Sequence, residues 1–292
     1  MVLLWKMYII ENMIKNRVFS LLLIVAVYLL AVAGGLACFK FLQGQGSFSF
    51  ELILLLADIF ATVIVFIFSL IFRNASVYDP YWSVQPPVIF FALLLSNGGT
   101  FFCWLLFAAV LFWALRLTAN WAYNFTGFDY QDWRYTMLKE KSGRAYPLIN
   151  FLGIHLFPTL VVYLCILPAA EAVRLGAELR PLCLPFIVLS FLSPLFQGIA
   201  DIQMHKFRRE GSGGFIRTGL WKRSRHPNYA CEILMWWGVG FACFFAMDHQ
   251  LPLLTGALVN TLMFLFISIP MADKRQSRKP GFEEYKKSTR ML

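Results

Sequence analysis

Two clusters of polar residues, each at the edge of a long apolar run, have the types and spacing to do chemistry. Asp201, His205 and Arg208 stand at i, i+4 and i+7, so on a helix they make one stripe of carboxylate, imidazole and guanidinium. Asp201 could accept hydrogen bonds from a ribose or an amide, and Arg208 is suited to bidentate phosphate contact. The second cluster is the run Gly219-Leu-Trp-Lys-Arg-Ser-Arg-His-Pro-Asn-Tyr-Ala-Cys-Glu232. Pro227 suits a first helical turn, with Ser224 as a cap just before it. Arg225 and His226 then stand beside a helix N-terminus, where free N–H groups and the macrodipole favour an anion. Asn228 and Glu232 are four apart and share one face. Each cluster also has a plain structural reading. For Arg208 it is snorkelling at an interface; for Glu232 it is an ion pair with an arginine that joins two helices.

The elements that must carry these groups are membrane helices. The 292 residues are 59% hydrophobic and 17% aromatic, with only 14% charged, too few to cover a soluble surface. Disordered, fibrous and disulfide-scaffold classes fall to the same figures. Apolar runs predict eight spans near 18–40, 50–72, 86–97, 100–118, 147–169, 181–202, 229–247 and 252–272. Seven is the alternative count, because the third run is short and led by Pro86 and Pro87. Long unbroken runs such as Leu52–Leu56 exclude the alternation of a barrel. The expected fold is therefore an all-α, polytopic bundle of seven to eight transmembrane helices.

Of 26 Lys and Arg, only Lys40, Arg174 and Arg180 fall on one side; the rest lie in 1–17, around Arg73, in 116–144, in 206–225 and in 274–290. Basic loops stay cytoplasmic, which places both termini there. The net charge of +10 is thus largely topological, and no nucleic-acid module accompanies it. The basic segments can bind a polyanion, either lipid headgroups or the phosphates of a cofactor. Ala31-Val32-Ala33 imitates a secretory cleavage site, but apolar character runs on through Phe41, which reads as an uncleaved anchor. The six cysteines lack metal-ligand spacing and read as small buried hydrophobes, so no metal site is expected. The sequons at Asn74 and Asn124 lie on the cytoplasmic side and should be unused.

In this order the motifs resemble the steroid 5α-reductase superfamily, and most closely its bacterial branch of unknown function, related to the isoprenylcysteine carboxyl methyltransferases. Gly219-Leu220-Trp221, Ser224-Arg225-His226-Pro227-Asn228-Tyr229 and Glu232 carry the resemblance. Lys279-Pro280-Gly281-Phe282-Glu283-Glu284-Tyr285 is similar to the family's C-terminal ending. Gly143-Arg144 with Tyr146-Pro147 looks like its basic loop, and Tyr78-Asp79-Pro80-Tyr81-Trp82-Ser83 like an Asp-x-x-Trp motif.

The resemblance implies one integral membrane domain over 1–292, with N-terminal helices to about 145 on the substrate side and a cofactor region over 146–292. It implies NADPH in a cytoplasmic-side cavity, a lipid or steroid-like substrate, and hydride transfer to an activated C=C bond. Asp201, His205, Arg208, Asn228, Tyr229 and Glu232 would bind the cofactor, together with Arg225, His226, Arg144, Arg116 and Tyr285. The polarising acid of the steroid reductases is a glutamate–tyrosine pair, whose counterparts here are Asp79 with Tyr78 or Tyr81. Trp113 stands where the family tyrosine would be. Asp58, inside the second span, is the rival acid.

No G-x-G-x-x-G opens a strand–helix unit, so a dinucleotide would not be held in the Rossmann manner. Two other functions fit the same residues. One is a membrane methyltransferase using S-adenosylmethionine; the other is a non-catalytic lipid-binding scaffold. The expected location is a bacterial inner membrane, or the endoplasmic reticulum in a eukaryote; the sequence does not set the oligomeric state.

Overall fold

The structure, a computed structural model, describes residues 16–211 and 213–292. Lys6 and Lys15 of the basic N-terminal segment lie outside the described residues. Of the described chain, 81% is helical, with no strand. Among the described residues, seven stretches are long and apolar enough to cross a membrane: Arg17–Gln45, Phe50–Ile71, Phe101–Asn124, Trp133–Arg174, Pro181–Arg209, Pro227–Ala246 and Leu251–Gln276. The Pro-led run falls short of that criterion and forms a helix of 17 residues, Tyr81–Asn97. The protein is thus an all-helical, multi-pass integral membrane protein. The chain divides into two compact units, Met1–Val88 with Leu117–Tyr163, and Ile89–Arg116 with Leu164–Leu292.

In the first unit α1 (Arg17–Gln45) is capped by Asn16, whose Oδ1 accepts the Phe19 N–H, and it stops at Gly46 in the left-handed region (φ 64°). Helix α2 (Phe50–Ile71) is capped by Ser49. Lipid tails are as apolar as leucine, so membrane helices pair through small residues that let backbones approach. A Cβ on Gly35 of α1 would lie 3.3 Å from the Ala61 Cβ and 3.4 Å from the Ala57 carbonyl oxygen of α2. The opposite face of α1 (Val18, Leu22, Val25, Leu29) is exposed and apolar, as a lipid-facing surface should be.

Helix α3 is Tyr81–Asn97 and α4 is Phe101–Asn124. Helix α5 (Trp133–Ser142) leads through a 3-10 turn, Gly143–Ala145, and a short helical turn, Tyr146–Ile149, into a π-helical stretch, Asn150–Leu156. Helix α6 (Phe157–Arg174) continues it. The wider π turn brings residues five apart onto one side. Asn150 and His155 consequently meet, with the His155 Nδ1 3.0 Å from the Asn150 carbonyl oxygen.

In the second unit α7 (Leu184–Arg209) and α8 (Pro227–Ala246) pack most extensively. Gly238 makes this possible, since a Cβ there would press on the Phe186 carbonyl and on Ser190. Helix α9 (Thr255–Met263) places Gly256 directly on the Leu164–Cys165 backbone. Helix α10 (Ile269–Gln276) and α11 (Phe282–Ser288) complete the chain. The cap of α8 differs from expectation. His226 occupies the cap position without a side-chain cap bond, and Ser224 instead accepts the His226 N–H at 3.1 Å, closing a local turn.

Candidate functional site

The stripe on α7 finds its partner on α4. Arg116 Nη1 donates to Asp201 Oδ2 at 2.6 Å, in a pair whose side chains are 12% and 15% exposed. The stem of Arg116 lies against Gly198. Its Nε and Nη2 atoms are buried with no partner among the described residues. These two atoms form the side-on edge of the guanidinium, with parallel N–H groups in the geometry that carboxylates and phosphates accept. Cys231, on the first turn of α8, stands in the field of both Arg116 and Asp201, so the start of α8 faces this pair. Asn228 and Tyr229 are half-buried there, and Arg208 is exposed two turns beyond Asp201. His205 lies between them, within the field of Asp201 and Arg208. Burial, with Arg275 and Arg208 nearby, lowers the Lys279 ammonium below its usual range, which marks a concentration of positive charge.

Glu232 lies deeper and is engaged on all sides. Trp113 Nε1 reaches both of its oxygens at 2.9 Å, Gln197 Nε2 donates to Oε2 at 2.9 Å, and Trp236 Nε1 donates to Oε1 at 3.0 Å. The two indoles meet edge to face, with centroids 4.9 Å apart. The carboxylate thus ties α4, α7 and α8 together through neutral N–H donors.

Arg225 and His226 converge on Asp273 of α10. Arg225 Nη2 lies 3.1 Å from Oδ2, and His226 Nε2 lies 2.9 Å from Oδ1. Arg225 also donates through Nη1 to the Lys286 and Thr289 carbonyls and through its backbone N–H to Arg290. Tyr285 returns a hydroxyl bond to the Trp221 carbonyl. The Arg-His-Pro motif therefore fastens the C-terminal tail. Burial holds the His226 imidazole below its ordinary range, against the opposing pull of Asp273. Tyr229 stacks on that ring at 5.3 Å.

The four carboxylate and phenol candidates all fall in the first unit, as does Arg144, which is exposed on its 3-10 turn. Asp58, in the middle of α2, is buried, and Gln85 Nε2 donates to its Oδ2 at 2.5 Å. Asp58 Oδ1 and Gln85 Oε1 have no partner among the described residues. Tyr78 and Tyr81 both lie within the field of Asp58. Asp79 makes different contacts: its Oδ1 accepts the Tyr135 hydroxyl at 2.5 Å, and Arg134 is close by. Burial raises its carboxyl to about 6, against the opposing effects of Arg134 and Tyr135.

Several members of this set carry no motif. Gln85, Thr62, Thr159 and Asn150 are ordinary residues in sequence. His155 is the one with a readable signal, a titratable side chain inside an apolar span. Asn74 shows why its sequon is out of reach: it is buried, and its amide donates to the Phe128 and Tyr130 carbonyls.

Comparison with known proteins gives this arrangement a family. A relative from Schizosaccharomyces pombe, described as an uncharacterized protein, is 25% identical over 246 residues, covering 73% of this chain and 69% of the relative. No solved structure matches the chain. The model of DUF1295, described as a protein of unknown function, matches residues 65–289, which take in α4, α7, α8, the π turn and the tail. The chain therefore belongs to the DUF1295 family, within the steroid 5α-reductase-like group.

Proposed function

We propose that this protein is a membrane oxidoreductase that reduces an activated C=C bond of a lipid, sterol-like or enoyl, with NADPH. The observation that carries the reading is Arg116, with Nη1 held by Asp201 and its side-on edge buried without an acceptor. A buried charged donor without a partner costs about 1–3 kcal/mol or more, which a phosphate oxygen pair on that edge would offset. Asp201, His205, Arg208, Asn228 and Tyr229 surround or extend this fork and would hold the rest of an anionic dinucleotide. Glu232 acts on the same site by fixing α4 against α7 and α8, and Arg225, His226 and Tyr285 act by fixing the tail.

Bound NADPH would supply a hydride to the β-carbon of the activated bond. The chain's own task is to hold a proton donor at the substrate oxygen where negative charge develops. Asp58 is suited to that role, because a buried carboxyl with one neutral amide for company is far better placed bearing its proton. Asp79, engaged by Tyr135, is the second candidate. The steroid 5α-reductase-like group supports the reaction class.

The test is purification in mild detergent followed by mass spectrometry of copurifying nucleotides, then NADPH consumption with a 3-oxo-4-ene steroid and with a long-chain enone. NADPH should copurify and be consumed only with an enone present, and Asp58→Asn should abolish turnover while retaining the nucleotide. Copurified S-adenosylmethionine with no NADPH binding would replace this reading with the methyltransferase one.

A further inference from the structure

The polar groups around Asp58 form a hydroxyl chain whose direction can be worked out. Thr159 Oγ1 donates to the His155 carbonyl at 2.9 Å, one turn back on its own helix. A hydroxyl has a single proton, so every other contact Thr159 makes is as acceptor. Tyr78, 2.8 Å away, and Thr62, 3.1 Å away, must therefore both donate to it. Thr62 stands one helical turn after Asp58 on α2. The hydroxyl protons of Thr159, Tyr78 and Thr62 are thus all committed. Gln85 is left as the one donor bonded to Asp58 among the described residues.

From this we infer that Thr159 is a positioning residue that keeps Asp58 in its proton-bearing form, by committing the hydroxyl protons of Tyr78 and Thr62 to its own oxygen. A buried carboxylate needs several donors to persist, and Thr159 withholds two, one of them on Thr62, a single helical turn from Asp58. If Thr159 loses its oxygen, Tyr78 and Thr62 lose their acceptor, and their protons become free to turn toward Asp58 and stabilise its anion. The inference rests on the assignment of Asp58 as the acid of the proposed reduction.

Infrared difference spectroscopy of the full chain in detergent, in H2O against D2O, tests it. A protonated carboxyl gives a carbonyl stretch that shifts on deuteration, and loss of that band in Asp58→Asn assigns it. Thr159→Val, nearly the same shape without the hydroxyl, is expected to lose the Asp58 band at neutral pH, whereas Thr159→Ser retains it. Should Thr159→Val fail to fold, Thr159→Ala removes the same acceptor with a smaller side chain and is expected to lose the band as well. A band of wild-type intensity in Thr159→Val, or in Thr159→Ala where that variant stands in, overturns the positioning role and leaves the reductase reading intact. An unaltered wild-type protein with no Asp58 band overturns both the positioning role and the acid assignment. The expected band changes with no NADPH-dependent turnover would sink the reductase reading alone.

Discussion

Arg116 distinguishes charge from geometry, because a lysine can still pair with Asp201 but cannot present two parallel donors. Arg116→Lys is expected to weaken NADPH binding by about 1.5–3 kcal/mol, roughly tenfold or more, while leaving thermal stability close to wild type. Fluorescence titration with NADPH measures the first and a melting curve the second; an unchanged titration would detach the phosphates from this residue. Asp79 gives a pH signature. Its folded carboxyl is raised to about 6 from an ordinary 3.8, so its contribution to stability is full at low pH and fades as pH rises through 6. Asp79→Asn removes that dependence. It should stabilise the protein by about 1–2 kcal/mol at pH 8, after discount for partial exposure, and have little effect at about pH 3, below both values. Equal melting shifts at both pH values would contradict it. The sequence made Asp201, Arg208 and Glu232 conspicuous, because charges in apolar runs are rare. The partners of Glu232 stayed hidden, since Trp113 and Trp236 read as apolar core and nothing local reveals that their N–H groups converge on one carboxylate.

Helices were legible wherever apolar length was enough. The spans read at 50–72, 181–202 and 252–272 correspond to Phe50–Ile71, Pro181–Arg209 and Leu251–Gln276, the last two running on past the apolar run at their polar ends. The π turn at Asn150–Leu156 was not legible, because its i, i+5 bonding has no residue signature and depends on His155 meeting Asn150. The capping role of Ser224 was misread for a related reason: Ser224 suits a cap or a local turn equally, and the tail's bond to Arg225 settles which forms. Glycines were visible as letters but not as contacts. Gly256 rests on the Leu164–Cys165 backbone, which does not yield as a side-chain end would, whereas Gly44 on α1 has nothing within 4 Å. Gly256→Ala is therefore expected to cost about 1–3 kcal/mol, and Gly44→Ala to be neutral or slightly stabilising. Melting curves in detergent that ranked the two the other way would mean that α9 does not pack on this stretch as described.

Crossing number decides how the whole chain sits in its membrane. Seven long helices alone would leave the two termini on opposite sides. By the charge rule both are expected on one side, with Arg73 and the 116–144 segment there too. Both conditions hold only if α3 also crosses. Its 17 residues span about 25 Å against a hydrocarbon thickness near 30 Å, a shortfall that local thinning or the flanking residues can absorb. Lys279 and Arg217 bond the Gly214 and Gly281 carbonyls, which holds the tail and the 213–217 loop on one face. Single cysteines placed at Lys139, Gly214 and Glu283 should accordingly react with an impermeant maleimide only from the cytoplasm, and ones at Gly98 and Glu178 only from outside. Cytoplasmic labelling at Gly98 would make α3 re-entrant. The chain would then cross seven times, and with the tail held in the cytoplasm the N-terminus would have to lie outside, against the charge rule.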